Sequence, residues 1–240
     1  MTIRSKARAA VEVAAASREL VRDAGWRAPQ LAWAARRAHG GIPSPHYPGE
    51  LTRVMAAVLR SRGLPGAVAE FGCYLGGSTA KLSLAARAAG KRLLVFDSFE
   101  GLPEPAEWDA EHQIERPRRF RRGEYAGALE TVQANVARFG DPSVCEYVPG
   151  WFSETLPGLL DRPLAVAFVD VDLGESTAAA LAAVEPRLVA GGACFVHDAT
   201  DPKLRDIVGR WAEDAGLVVE HLPARPEPPY WTLAHVSRRR

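Results

Sequence analysis

The chain has 240 residues, 47 % of them apolar and 25 % charged, with a formal net charge of +1. That length suits one large domain, or one domain with an N-terminal extension, and the near-neutral balance gives no overall electrostatic footprint for nucleic acid. No apolar run reaches the 18 or more residues of a membrane span, and the three cysteines, Cys73, Cys145 and Cys194, form no C-x-x-C pair, which predicts buried thiols in a reducing, cytoplasmic setting rather than a zinc ribbon or a redox dithiol.

Residues 1–40 are rich in Ala and Arg and predict helix, with breaks at Gly25, Pro29 and Gly40-Gly41; Glu12, Glu19 and Asp23 argue against a transit peptide. "GIPSPHYPGE" predicts a connector, because Pro43, Pro45 and Pro48 interrupt regular helix, and residues 49–62 predict a further helix. From Leu64 the pattern alternates. Apolar runs of strand length fall at 67–71, 92–96, 144–148, 164–169, 192–196, 217–221 and 230–236. Helical stretches at about 77–90, 124–139, 151–160, 174–190 and 202–215 separate the first six runs. Strands alternating with helices predict an α/β fold, a mostly parallel seven-stranded Rossmann-like sheet covered on both faces. The last two runs are joined only by "PARPEPP" and predict a terminal antiparallel hairpin. The division expected is an N-terminal helical extension, residues 1–63, acting as a substrate lid, and an α/β domain over 64–240.

Ligands of open α/β sheets bind outside the carboxyl ends of the strands, and Glu70, Asp97 and Asp170 fall at such ends. The first strand-to-helix turn holds Gly72, Gly76 and Gly77, which let the backbone bend tightly and a ligand approach closely. The turn reads G-C-Y-L-G-G and not the G-x-G-x-x-G of dinucleotide sites. Glu70, just ahead of it, is poorly suited to a pyrophosphate and well suited to an amine or cation. Asp97 is placed to accept from both hydroxyls of a ribose. Ribose without pyrophosphate, beside a charged amino acid portion, describes S-adenosylmethionine.

"AEFGCYLGGST" followed by "VFDSFEGLPEP" resembles the macrocin O-methyltransferase family of class I methyltransferases, whose members methylate sugar and related hydroxyls of natural products; "GWFSETLP", "FVDVDLGEST" and "PRLVAGGACFVHDA" agree in order and spacing. The resemblance spans about 64–210. It implies that Glu70, Gly72, Tyr74, Gly76 and Ser78 line the methionine part of the cofactor, that Asp97 holds the ribose, and that Ser98 and Phe99 sit near the adenine. Trp151 and Phe152 read either as an apolar wall for that base or as plain core packing.

"DVD" at 170–172 ends the fourth strand and His197-Asp198 the fifth; neighbouring strands lie about 4.8 Å apart, so these tips converge beside the cofactor. Family members that need Mg²⁺ show two adjacent aspartates followed by tyrosine after the fifth strand, and often a tyrosine after D-x-D-x. Here His197, Ala199 and Gly174 depart from that pattern. Two readings stay open. In one, Asp170, His197 and Asp198 hold a divalent ion, and the imidazole shifts preference from Mg²⁺ toward transition ions. In the other, no metal is needed and His197 is the general base beside Asp170. Asp172 reads as an outer-layer group or as the N-cap of the following helix. His46, His112, His221 and His235 read as structural or exposed. The charged segment 104–123 reads as a lid that closes over the substrate with "SPHY", and "RPRRFRR" at 116–122 as a solvated loop.

The expected partner is a small hydroxylated molecule, with neither nucleic acid nor membrane involved, and the N-terminal helices offer a surface for a second subunit. Two other classes compete with an S-adenosylmethionine-dependent O-methyltransferase. The lost tyrosines at 174 and 199 motivate a cofactor-binding regulatory or structural module without turnover. A nicotinamide oxidoreductase is disfavoured by the failed glycine fingerprint.

Overall fold

The computed structural model describes residues 17–112, 118–159, 162–223 and 231–238. Seven strands form the main sheet: β1 (Ala67–Phe71), β2 (Leu93–Asp97), β3 (Cys145–Pro149), β4 (Leu164–Val169), β5 (Leu188–Val196), β6 (Leu217–Pro223) and β7 (Trp231–Arg238). Their order is β3-β2-β1-β4-β5-β7-β6. All pairings are parallel except those of β7, which runs antiparallel to both β5 and β6, so the expected terminal hairpin is present.

The strand side chains alternate between two cores. Val68, Val95, Phe168 and Phe195 feed one, with helices α1 (Ala28–Gly41), α2 (Pro48–Arg60), α3 (Gly77–Ala89) and α4 (Leu129–Phe139). Phe71, Phe96, Val169 and Val196 feed the other, with the short α5 (Phe152–Thr155), α6 (Gly174–Val184) and α7 (Pro202–Asp214). The period of two explains why nearly continuous apolar runs serve both faces. Among the described residues no helix is long and apolar enough to cross a membrane.

Three boundaries differ from expectation. Pro29 does not break a helix: it lies in the first turn of α1, where its missing N–H leaves no intrahelical bond unmade. β5 begins at Leu188, inside the stretch expected to be helical to 190. Gly191 has φ +79°, and a Cβ on Gly192 would lie 3.0 Å from the Ala165 carbonyl oxygen, so these glycines allow a bulge that extends the strand. α4 begins at Leu129 rather than 124. A Cβ on Gly127 would fall 1.9 Å from the Tyr74 carbonyl oxygen, so the chain first crosses the glycine turn and only then coils.

The N-terminal residues are built into the first core. Leu51, Val54, Met55 and Val58 form the i, i+3, i+4, i+7 stripe of α2 and are buried against it. Residues 17–24 are helical and tied to α2 by Arg53–Glu19 at 2.5 Å and Arg60–Asp23 at 2.7 Å. Residues 17–63 are therefore a layer of the fold, and within them the part turned to the cavity is the connector before α2 and its first turn.

The long segment after β2 is held in the same way. Asp109 is 1 % exposed, and its two carboxylate oxygens accept the Gly174 and Glu175 N–H groups at 2.8 and 3.0 Å. It thus caps α6, and Lys203 pairs with it at 2.9 Å. A Cβ on Gly174 would lie 2.9 Å from Ile207 Cδ1 and 3.0 Å from the Trp108 ring, which accounts for a glycine there. Phe120, in the basic stretch expected to be solvated, is buried with Leu102 and Leu173; residues 113–117 lie outside the described residues.

Asp109→Ala should remove the α6 cap and the carboxylate that pairs with Lys203, lowering stability by about 1–3 kcal/mol. Urea denaturation followed by circular dichroism checks this, and a midpoint equal to wild type would mean that the segment is not anchored through Asp109.

Candidate active site

A cavity of about 700 Å³ opens at the carboxyl ends of β1, β2, β4 and β5. One half is built on the turn after β1. Gly72 has φ +84°, and a Cβ there would stand 2.0 Å from the Asp170 carbonyl oxygen, so only glycine lets the turn pack on the end of β4. Gly76, at φ +81°, is the N-cap of α3. The Cys73 and Phe99 N–H groups each donate to Asp97 at 2.7 Å, one to each oxygen. These bonds hold the carboxylate at the cavity wall, and its remaining lone pairs can still accept from hydroxyls.

Gly72, Tyr74, Ser78, Asp97, Ser98, Trp151 and Phe152 line the cavity. Glu70, Gly76 and Phe99 do not. Glu70 shares the Val68 face of β1, beneath α3, and is 0 % exposed. Burial pushes it up to about 8 despite the neighbouring Ser78 and Thr79 hydroxyls, and neither oxygen completes a hydrogen bond of good geometry. Lys81 of α3 is buried on the same side; burial brings it down to about 8 against the attraction of Glu50 and Glu70. Glu70, expected from the sequence to meet a ligand amine, thus lies in the layer under the turn and not on the cavity wall. Phe99 packs instead toward Tyr147 and the first core.

The other half gathers histidines and carboxylates. The Asp170 N–H donates to Phe71 O and the His197 N–H to Val169 O, both at 2.9 Å, which fixes the two tips side by side. His197 Nδ1 lies 3.1 Å from Asp170 Oδ1 and 3.2 Å from Asp198 Oδ1, and its Nε2 lies 3.2 Å from Glu50 Oε2. Burial disfavours the charged ring, yet Asp198, Asp170 and Glu50 hold His197 well above the usual histidine range. Burial likewise opposes ionisation of Asp170, and His197 and His46 overcome it, keeping Asp170 well below the usual carboxylate range.

His46 comes from the connector. Its Nε2 is 2.7 Å from Asp170 Oδ2, its Nδ1 is 2.9 Å from Ser44 Oγ, and its ring stands edge-on to His197 with centroids 4.8 Å apart. Ligand atoms of His46, Asp170 and His197 all lie within 4.8 Å of one another. This donor set fits a divalent ion, and His197 Nδ1 is a buried atom with no aligned hydrogen-bond partner despite its two carboxylate neighbours. Asp172, at φ +59°, lines the cavity and does not cap α6, a role taken by Asp109.

The residues the sequence did not single out are His46 and Glu50. The "SPHY" segment was expected at the site, but a lone histidine in a proline-rich connector carries no spacing that marks it. Glu50 is fully buried; it accepts the Tyr47 N–H at 2.7 Å and so caps α2 while holding His197. None of the described residues of the expected lid, 104–123, lines the cavity; Gly101, Leu102, Pro103 and Tyr125, which flank it, do.

The family described as Macrocin-O-methyltransferase (TylF) matches residues 12–221. The chain belongs to this family. Among curated proteins, it is 40 % identical over 153 residues to the 8-demethyl-8-(2,3-dimethoxy-alpha-L-rhamnosyl)-tetracenomycin-C 4'-O-methyltransferase of Streptomyces olivaceus, over 61 % of this chain and 58 % of that one. It is 32 % identical to the mycinamicin III 3''-O-methyltransferase of Micromonospora griseorubida, over 70 % of this chain and 69 % of that one. The O-methyltransferase NovP superposes with a TM-score of 0.64 at 25 % identity, covering 79 % of each chain. Its fold is also that of TomG, solved in complex with S-adenosylmethionine, at a TM-score of 0.50 and 18 % identity over 87 % of this chain and 89 % of that one.

Two measurements check this geometry. Gly72→Ala should keep the far-ultraviolet spectrum but weaken binding of S-adenosylhomocysteine tenfold or more, because the turn must move off Asp170; unchanged affinity would mean the turn does not shape the ligand wall. For Glu70, the folded chain holds the proton up to about pH 8, whereas its ordinary value is 4.5. Stability contributed by Glu70 is thus complete below about pH 4.5 and is lost as pH rises toward 8. Glu70→Gln should shrink the drop in urea midpoint between pH 5 and pH 8, and an equal drop in both proteins would contradict the buried, protonated Glu70.

Proposed function

We propose that this protein is an S-adenosylmethionine-dependent O-methyltransferase acting on a hydroxyl of a sugar or related natural-product scaffold. One observation carries the reading: a single cavity joins the glycine turn and Asp97 at one end to the Asp170, His197 and Asp198 cluster at the other. Membership of the family supports the chemistry, and the names of the two curated relatives, both O-methyltransferases and one of them named for a rhamnosyl-bearing substrate, support the acceptor class.

S-adenosylmethionine supplies a methyl group on a sulfonium. Its place is supported by the tight glycine turn at Gly72, which lies against the end of β4 and lines the cavity, and by the oriented Asp97 carboxylate. In this reading Gly72, Tyr74 and Ser78 flank the methionine portion, Asp97 accepts from the ribose hydroxyls, and Ser98, Trp151 and Phe152 bound the adenine. Asp170, His197 and Asp198 would hold a divalent ion, which would favour loss of the acceptor's proton. Both ring nitrogens of His197 face carboxylates, an arrangement that favours the ligand role over that of an open base. Asp172 lines the cavity, and this reading assigns its carboxylate as the group that would receive the hydroxyl proton. Holding the hydroxyl in line with the methyl group supplies most of the acceleration.

Calorimetry should detect S-adenosylhomocysteine bound to the wild type, and Asp97→Ala should weaken it about tenfold or more, through two hydrogen bonds to a charged group. Incubation with S-adenosylmethionine and glycosylated natural products should give a product one methyl group heavier by mass spectrometry. Absence of any binding of either form of the cofactor would overturn the assignment.

A further inference from the structure

We propose that His46, carried by the connector before α2, completes a metal centre with Asp170, His197 and Asp198 that selects first-row transition ions over Mg²⁺. The inference rests on the metal-assisted reading of the site and names the ion class and a ligand from outside the β-sheet tips.

Four observations support it. First, the inner ring nitrogens of His46 and His197 both approach Asp170, one at each carboxylate oxygen, at 2.7 and 3.1 Å. Asp198 adds an oxygen 3.2 Å from the same His197 nitrogen. Such separations are those of neighbouring ligands around an ion with bonds of about 2.0–2.2 Å. Second, His197 is 7 % exposed, and this nitrogen is buried with no hydrogen-bond partner of good geometry. A hydrogen bond is directional and wastes this arrangement; a metal ion shared between the nitrogen and the two carboxylates does not.

Third, the outer nitrogens are already held. Ser44 Oγ lies 2.9 Å from His46 Nδ1 and Glu50 Oε2 3.2 Å from His197 Nε2, and Glu50 is itself fixed by the Tyr47 N–H. Histidine ligands characteristically have the second ring nitrogen anchored by an oxygen in this way, which sets the tautomer and aims the first. Fourth, the donor chemistry is mixed. Mg²⁺ prefers oxygen ligands and retained waters, whereas imidazole suits Zn²⁺, Co²⁺ and related ions. His197 removes one carboxylate from the pattern of the Mg²⁺-dependent members, and His46 adds a second nitrogen, so both changes act in one direction.

The test uses the untagged full chain stripped with a chelator and then titrated with Co²⁺, read by visible d–d absorption and by metal analysis after desalting. The expected result is one ion per chain, displaced by equimolar Zn²⁺ and retained against a hundredfold excess of Mg²⁺. His46→Ala should lower Co²⁺ affinity tenfold or more and alter the band shape, Ser44→Ala should lower it less, and His235→Ala, at a histidine stacked on Phe195 in the sheet, should match wild type. Circular dichroism verifies that each variant is folded, and S-adenosylhomocysteine binding is measured in parallel. Failure of the wild type to bind Co²⁺, displacement by Mg²⁺, or wild-type Co²⁺ affinity in His46→Ala would overturn the inference; with cofactor binding intact, any of these leaves the methyltransferase reading standing. A Co²⁺ site in a chain that binds no cofactor would instead overturn that reading alone.

Discussion

The absence of a side chain at Gly72 sets the geometry of the whole site. With a would-be Cβ only 2.0 Å from the Asp170 carbonyl, the β1 turn lies directly on the end of β4. Parallel pairing already places β1 between β2 and β4, so this contact brings Asp97 on one neighbour and Asp170 on the other to a common wall. The two halves of the cavity are therefore related by backbone, which is rigid, rather than by long side chains. A methyl transfer that depends on alignment of two reactants benefits from such a frame.

Around that frame the protein buries an unusual amount of charge. Glu50, Glu70 and Lys81 are each 2 % exposed or less, and His197 is 7 % exposed. Isolated buried charges are costly, and pairing or protonation offsets the cost. Glu50 is matched to the Tyr47 N–H and to His197, which ties the start of α2 to the strand tips. Glu70 is held closer to its neutral form, and Lys81 opposite it is drawn down from its ordinary range. The turn thus rests on a buried polar layer supplied partly by α2 and α3, and the start of α2 contributes to it.

The departures from the family's common residues also have physical correlates. Gly174 has room for no Cβ, because Trp108 and Ile207 fill the space, while Asp109 from the same loop caps the helix that Gly174 begins. The loop after β2 has in effect taken over the place of a side chain at 174. His197 in turn sits among three carboxylates, a position suited to a cationic ring or to a metal ligand and unsuited to an exposed polar side chain.

The seven-stranded sheet, its terminal hairpin and the cavity wall at Gly72, Asp97, Asp170 and His197 were legible in the chain, because period-two apolar runs, helical spacing and strand-end acids are local patterns. What those patterns could not show is direction across layers. Glu70 looked like a ligand because it ends a strand, but the pleat turns it under α3. His46 looked incidental because its partners are 124 residues away at Asp170 and across the sheet at His197, and Asp109 looked like loop charge because the helix it caps begins 65 residues later. Composition and periodicity determined the fold and the glycine-turn half of the cavity wall; only tertiary packing, which joins groups with no sequence relation, decided that a connector histidine and a buried glutamate join the half at Asp170 and His197.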